Sequence, residues 1–499
     1  MTLSRNYIAG VMSSIWAALI GLMVVPLYVK HLGVEAYGLI GFMASLQVAF
    51  GFLDMGLAPA LNREIARCKI LGNLNEARVL LHSLTFFYFF IAILIIVTTI
   101  AFAPFIAGGW LRSSTLSSNS LSHAVMLMGV VIACRWPLAL YQSVLIGMQR
   151  IDITSMLSVL MATLGGVGGV VVVSYVSPTI EALFMWQALT AIFFTTILRL
   201  IAWDKLGHIN ANFKFSSLKR IWHFSIGMSG IAITGLILLQ LDKLLVSKIV
   251  DLNDFGKYAL AGTVASGLYV LMTPLFNVIY PKLSGLVASK KLNELILFYK
   301  TSSYLFMAIF APSVVTAILY SGDFLVLWIQ NKSLAESITP IVQFILIGTA
   351  LNGVMHFPYA LQLAFGATYI PIIINIILIF IMVPLTIVLT NNYGVIGGAG
   401  AWAILNGLYV VIGTTITHRI LMVGYGFSWI FKDVTLPVAI SVIIIFIGRY
   451  FIQDYSDNSL LRLILSIGFM AISFLCIVVM SSALRSIFFK KLNTFFGAQ

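Results

Sequence analysis

Fourteen apolar runs, each about the length needed to cross a bilayer and each closed off by polar or charged residues, succeed one another along this sequence. That succession constrains the fold more than any motif. A hydrocarbon core of about 30 Å takes about 20 residues of helix. Within it every backbone N–H and C=O must find its partner in the protein, so such a chain folds as a bundle of α-helices. The runs lie near 6–29, 36–57, 80–106, 122–148, 153–175 and 180–201. After a basic stretch from Trp203 to Trp222 they continue near 223–249, 258–279, 301–320, 338–365, 370–390, 395–417, 434–452 and 460–482. With 61% of its 499 residues hydrophobic and 9% charged, the chain has little left for a soluble domain. The expectation is an all-α polytopic membrane protein of about 14 transmembrane helices. Asn6 to Val29 lacks a small-residue cleavage site and exceeds a signal-peptide core, so it reads as a retained first helix.

The basic residues orient the bundle. With the N-terminus cytoplasmic, the inner connections and tails hold 20 of the 29 lysines and arginines and the outer ones hold 7, leaving Arg135 and Lys243 inside the spans. This bias places both termini in the cytoplasm. The net charge of +13 is then mostly topological, and no nucleic-acid partner is needed to explain it. The longest outer connections, Ser321 to Ser337 and Gly108 to Leu121, are too short for a catalytic domain. Two inner ones, Asn62 to Leu81 and Pro281 to Tyr299, mix basic and apolar residues as short helices on an anionic leaflet would.

Enzyme and cofactor signals are lacking. Cys68, Cys134 and Cys476 show no paired spacing, the seven histidines make no metal-ligand pattern, and no serine elbow or paired-carboxylate site stands out. The glycine run from Gly165 to Gly169 is followed by no Gly-Lys-Ser or Gly-Lys-Thr, so it reads as a close-packing helix face, as do Gly397, Gly398 and Gly400. The aromatics from Phe86 to Phe90 read as lipid-facing or interfacial bulk.

An internal repeat divides the chain. At an offset of 218, Lys30 falls on Lys248, Tyr37 on Phe255, Gly38 on Gly256, and Leu74, Asn75 and Glu76 on Leu292, Asn293 and Glu294. At an offset of 221, the stretch RWPLAL from Arg135 to Leu140 falls on HFPYAL from His356 to Leu361. Parallel repeats imply a pseudo-two-fold along the membrane normal with a substrate site between the halves. The expected organisation is an N-lobe over 1–222, a C-lobe over 223–417 and two further helices over 418–499.

Ionisable residues inside the spans are functional candidates, because each is costly in lipid. Arg135 lies in the middle of the fourth run, two residues before Pro137, whose ring removes a helix hydrogen bond. His356 holds the repeat-related place before Pro358. Asp242 and Lys243 are adjacent in the seventh run and cannot both face one side of a helix. Three readings fit Asp242: half of a gate pair, a proton or sodium site, or a fixed ion pair. Lys243 reads as a phosphate contact or as a snorkelling lysine. Asp54 and Arg63 flank Gly56 and Pro59 at the inner end of the second run, and read either as a cytoplasmic gate or as a capped helix end.

The stretch PLYVKHLGVEAYG from Pro26 to Gly38, followed by FLDMGLAPALNREIA from Phe52 to Ala66, resembles the opening of Wzx-type O-antigen and polysaccharide flippases. The second half opens similarly, with LDKLL from Leu241 to Leu245 and FGKYALA from Phe255 to Ala261. These flippases share a superfamily with multidrug extruders and lipid II flippases. The first helix here carries no arginine from Tyr7 to Val29, unlike lipid II flippases. The resemblance implies a flippase of the bacterial inner membrane moving undecaprenyl-diphosphate-linked oligosaccharide to the periplasmic leaflet by alternating access. Arg135, His356 and Lys243 would then contact substrate, and Asp242, Asp54 and Arg63 would gate it or couple it to H+ or Na+. Association with polysaccharide polymerase machinery would follow. A cation-coupled drug exporter is the alternative, and it calls for an acidic cavity, whereas this chain offers Arg135 and few deep carboxylates. A membrane polymerase is disfavoured by the short outer connections.

Overall fold

The computed structural model describes residues 2–207, 215–455, 458–481 and 485. They contain helices and connections but no strand, as the apolar pattern requires. The first helices are α1 (Thr2–Gly51), α2 (Leu57–Ile70), α3 (Leu74–Phe105), α4 (Ser118–Gly147), α5 (Ile151–Val171), α6 (Ile180–Leu206), α7 (Phe215–Ile249) and α8 (Leu252–Ser266). The others are α9 (Tyr269–Ala288), α10 (Leu292–Leu319), α11 (Ser321–Ile329), α12 (Lys332–Val354), α13 (His356–Ala364), α14 (Tyr369–Leu421), α15 (Gly426–Ser428), α16 (Leu436–Tyr455) and α17 (Ser459–Met480).

Eleven stretches of the described residues are long and apolar enough to span a membrane. Two of them, Ala9–Asp54 and Tyr369–Leu421, are too long for one crossing and are broken at a glycine. Gly33 (φ 84°, ψ 168°) divides α1 and Gly394 (φ 59°, ψ −145°) divides α14, conformations only glycine adopts freely. A Cβ on Gly397 would overlap the Leu389 carbonyl oxygen, so the backbone on the two sides of the break is tightly apposed there. Counting both halves of α1 and α14, and adding α7, gives about fourteen crossings, the number that the apolar runs predict.

Two runs and one connection differ from the sequence reading. The run near 258–279 is divided between α8 and α9 at Gly267 and Leu268, and that near 338–365 between α12 and α13 at Met355. The outer connection from Ser321 opens as α11, because FLVLW within it is apolar enough to pack as a helix on α12 and α17. Where the sequence suggests short surface helices, α9 continues through Pro281 to Ala288, while α2 is a separate short helix with Arg67 and Lys69 exposed. Residues 208–214 of the basic stretch, and Lys490 and Lys491, lie outside the described residues.

The chain forms two compact units, Met1–Ala259 and Leu260–Gln499. In the first, α4 packs on α2, α3 and α6, and α1 on α5 and α7. In the second, α12 packs on α14, α9 on α13, and α16 and α17 on α10. The C-terminal helices are tied in by the Tyr304 hydroxyl, which donates to the Ile477 carbonyl at 3.1 Å. Close approaches follow the glycines: a Cβ on Gly166 would lie 2.8 Å from Ile20, on Gly168 2.5 Å from Trp186 and on Gly169 2.4 Å from the Tyr28 hydroxyl. The Gly165–Gly169 run therefore lets α1 and α6 come close to α5.

The repeat recurs bond by bond. At the end of α2, Leu71, Gly72 and Asn73 donate backbone N–H groups to Arg67, Lys69 and Cys68. The corresponding donors 218 residues later, Ser289, Lys290 and Lys291, bond to Gly285, Val287 and Leu286. Both turns place their middle residue in the left-handed region, Gly72 at φ 70° and Lys290 at φ 55°. Repeat-related residues also touch within the first unit. A Cβ on Gly38 would lie 2.6 Å from the Leu252 carbonyl oxygen, and one on Gly256 would lie 2.2 Å from that of Val34. Val34 and Leu252 are themselves related by the offset of 218.

Candidate functional site

Arg135 stands inside α4, which runs unbroken through Pro137. Pro137 has no N–H to offer the Ala133 carbonyl one turn back, and at the next residue the Thr195 hydroxyl of α6 donates to the Cys134 carbonyl at 3.0 Å. The Arg135 guanidinium donates to Gln47 Oε1 of α1 at 3.0 Å and to Gln187 Oε1 of α6 at 3.2 Å. Tyr28 of α1, buried, lies within electrostatic reach, and its hydroxyl donates to the Gly166 carbonyl at 2.9 Å. Among the described residues no carboxylate pairs with Arg135. Two carboxamide oxygens orient the planar fork but leave its charge uncompensated. An arginine so held presents positive charge and further N–H donors to a phosphate.

Asp242 is buried in α7 and accepts from the Tyr258 hydroxyl of α8 at 2.7 Å, while its Oδ1 has no hydrogen-bond partner among the described residues. Lys243, half-buried, is within electrostatic reach of that carboxylate. Tyr258 stacks on Phe255 with centroids 6.4 Å apart. The structure therefore gives Asp242 a fixed hydroxyl partner and one oxygen left over.

Asp54 ends the second half of α1's span, just before Met55 and Gly56 turn into α2 through left-handed conformations. Its carboxylate accepts from the Ala58 backbone N–H at 3.4 Å and from the Tyr88 hydroxyl of α3. Tyr88 is buried, with its ring 5.9 Å from that of Trp136, the residue after Arg135. The aromatic series from Phe86 is thus not all lipid-facing: Phe86 and Phe90 are exposed, but helical periodicity turns Tyr88 inward. Arg63 sits on the exposed side of α2.

His356 opens α13 in the second unit, so it and Arg135 belong to different units. Its Nδ1 lies 3.3 Å from the Asn352 carbonyl, and its ring meets Phe276 of α9 edge-on at 6.1 Å. Phe276 stacks on Tyr280 at 5.8 Å and on Tyr359 at 5.7 Å, which surrounds the histidine with half-exposed aromatic faces.

Gln47, Gln187, Tyr28 and Tyr88 are the partners that sequence reasoning missed. The available signal was polarity inside an apolar run: each is a hydrogen-bonding side chain where lipid would tolerate none unpaired. Charge drew attention to Arg135, but neutral acceptors hold it.

The sequence profile of a family described as "Polysaccharide biosynthesis protein" matches residues 3–287. A Shigella flexneri protein named "Putative O-antigen transporter" is 21% identical over 410 residues, covering 81% of this chain and 95% of that protein. Among solved structures, the lipid II flippase MurJ in an inward closed conformation superposes with a TM-score of 0.74 at 16% identity, covering 97% of this chain and 99% of the other. An inward-facing multidrug resistance MATE family transporter of the MOP superfamily gives 0.65 at 13% identity, covering 81% and 94%. The bundle is therefore a transporter fold shared by flippases and drug exporters.

Proposed function

Because this chain belongs to the polysaccharide biosynthesis protein family, we propose that it is a flippase for undecaprenyl-diphosphate-linked oligosaccharide, of the O-antigen repeat-unit type. It moves this substrate from the cytoplasmic to the periplasmic leaflet of the bacterial inner membrane by alternating access, with both its termini in the cytoplasm. One observation carries the reading: Arg135 within a spanning helix, held by Gln47 and Gln187 and by no carboxylate among the described residues. A diphosphate or a glycan crossing hydrocarbon unaided would lose its hydration without replacement. A carrier must supply cationic and polar groups near the midplane while the lipid tail stays in the bilayer.

Arg135 binds the diphosphate, and Lys243 and His356 supply further substrate contacts, with Phe276, Tyr280 and Tyr359 beside His356 as stacking faces for sugar. Asp242 couples the cycle to H+ or Na+, and Asp54 and Arg63 act at the inner gate. The membrane potential, negative inside, favours outward movement of an anion by about 2.3 kcal/mol per charge per 100 mV. Delivery at the outer leaflet places the substrate before the polysaccharide polymerase machinery. A cation exporter would need acidic groups at the site where this chain has an arginine.

The test is deletion of the gene with complementation. Deletion should abolish surface polysaccharide and accumulate the lipid-linked precursor facing the cytoplasm. Precursor that reaches the periplasm and stays unpolymerised would assign the chain to polymerisation instead.

A further inference from the structure

A groove of about 650 Å3 opens between α3 and α6 on the first unit, and Arg135 is not among the residues that line it, whereas Arg199 is. Arg199 of α6 is exposed, and among the described residues it has neither a hydrogen-bond acceptor nor a carboxylate. Among the described residues it lies within electrostatic reach of the buried Tyr141, whose hydroxyl neighbours Thr85 of the groove lining. The contrast with Arg78 of α3, which meets α6 about two turns further along, is direct: that guanidinium donates to the Leu206 carbonyl at 2.5 Å and to Asn75 at 2.8 Å, closing the end of α6.

The level of Arg199 selects its ligand. It lies 19 residues past the start of α6 at Ile180, about 28 Å along the helix, which is the full depth of the hydrocarbon. Arg199 is therefore at headgroup height in the leaflet where α6 ends, cytoplasmic in the proposed orientation. One turn further toward the end of α6, Trp203 meets His82 of α3 with ring centroids 6.5 Å apart, as interfacial aromatics do. Above them the walls turn apolar, with Phe86, Phe89 and Leu200 exposed. A cation and hydroxyls at headgroup level beneath an apolar channel match an amphiphile carrying a phosphate at its head and acyl chains above.

We propose that this groove binds an anionic phospholipid of the inner leaflet, its phosphodiester on Arg199 and its acyl chain along Phe86, Phe89 and Leu200. Basic pockets at helix junctions hold such headgroups by the same charge complementarity. The site faces the bilayer and is separate from the substrate contacts on Arg135. Its occupancy therefore does not depend on which glycan the protein carries.

The experiment is native mass spectrometry of the full chain in detergent, titrated with phosphatidylglycerol or with phosphatidylcholine. Wild type should bind phosphatidylglycerol in preference. Arg199→Ala should weaken that binding about fivefold, the effect of one interfacial cation, and Arg199→Lys should keep most of it. Thr196→Trp, which fills the groove and leaves the charge, should also weaken it, and Lys282→Ala, an exposed cation elsewhere, should not. Equal affinity of wild type and both groove variants Arg199→Ala and Thr196→Trp, or equal binding of the two lipids, would overturn the proposal. So would a polyprenyl phosphate that displaces phosphatidylglycerol when present at a tenth of its concentration, because the occupant would then be the carrier lipid. These readouts are independent of transport, so a failed flippase assay leaves them standing.

Discussion

Arg135 of α4 donates to Gln187 of α6 at 3.2 Å, so the arginine midway along α4 is positioned by a group of nearly the same shape as glutamate but without its charge. That near-isosterism separates a structural role from a binding one. Gln187→Glu would preserve the contact and add a salt bridge in a buried setting. The expected outcome is a folded protein, as stable as wild type or more so, that no longer exports precursor because a carboxylate has taken the place of phosphate. Detergent thermal unfolding and surface-polysaccharide labelling read the two effects, and full export by Gln187→Glu would remove Arg135 from substrate binding.

Arg135→Ala should abolish export while the protein still inserts and folds. Arg135→Lys should keep part of it, since the charge survives and the bidentate geometry does not. His356→Ala should cost less than Arg135→Ala, because a half-buried ring among aromatics contributes stacking more than charge. Folded yield measured beside export distinguishes lost function from lost protein.

Tyr258→Phe should destabilise the protein by about 1.5–3 kcal/mol, the loss of a hydrogen bond to a buried carboxylate. Asp242→Asn should fold, since an amide keeps an acceptor for the Tyr258 hydroxyl. It should also uncouple export from the ion gradient. Export by Asp242→Asn that still follows an imposed pH or sodium gradient would exclude Asp242 from coupling.

Gly256→Ala should lower thermal stability by about 1–3 kcal/mol, because the new methyl would meet a backbone oxygen that cannot turn aside. Gly262→Ala, on the same helix with open space around it, should be neutral or slightly stabilising. Melting curves of the two variants that coincide would show that the contact at Gly256 is looser than drawn.

Orientation is checked by thiol labelling in a background free of native cysteines. Ser117 and Asn331 cap the N-termini of α4 and α12, so single cysteines belong at the exposed neighbours Ser118 and Ser333. Both should react with an impermeant reagent added outside, and one at exposed Asn293 should not. The reverse pattern would invert the topology.

Helix existence was legible from apolar run length because the bilayer leaves the backbone no other way to satisfy itself. The breaks at Gly267 and Met355 were not, since both fall inside continuous apolar stretches where hydropathy carries no mark of a local turn. The repeat was readable from Leu74-Asn75-Glu76 and its partner, and the structure extends it to turn hydrogen bonds that no residue identity encodes: Gly72 and Lys290 share a conformation but not a side chain. At the candidate site, Arg135 announced itself by its cost in lipid. Gln47 and Gln187 did not, because an uncharged amide in an apolar run resembles many others until tertiary packing shows what it faces. Asp54 was visible, but its partner Tyr88 was hidden in a row of aromatics that share a composition and differ in direction.

The approach of Gly38 to Gly256 has a consequence for descent. The helix segments around them present the same face to each other, Val34 with Gly256 and Leu252 with Gly38, as the two subunits of a symmetric dimer do. A polypeptide of half this length, carrying one such glycine, would already be complementary to its own copy. Fusion of two copies would then have preserved a self-recognising surface. In the present chain each glycine faces backbone of the opposite repeat, so a side chain added at either position would press on the other segment.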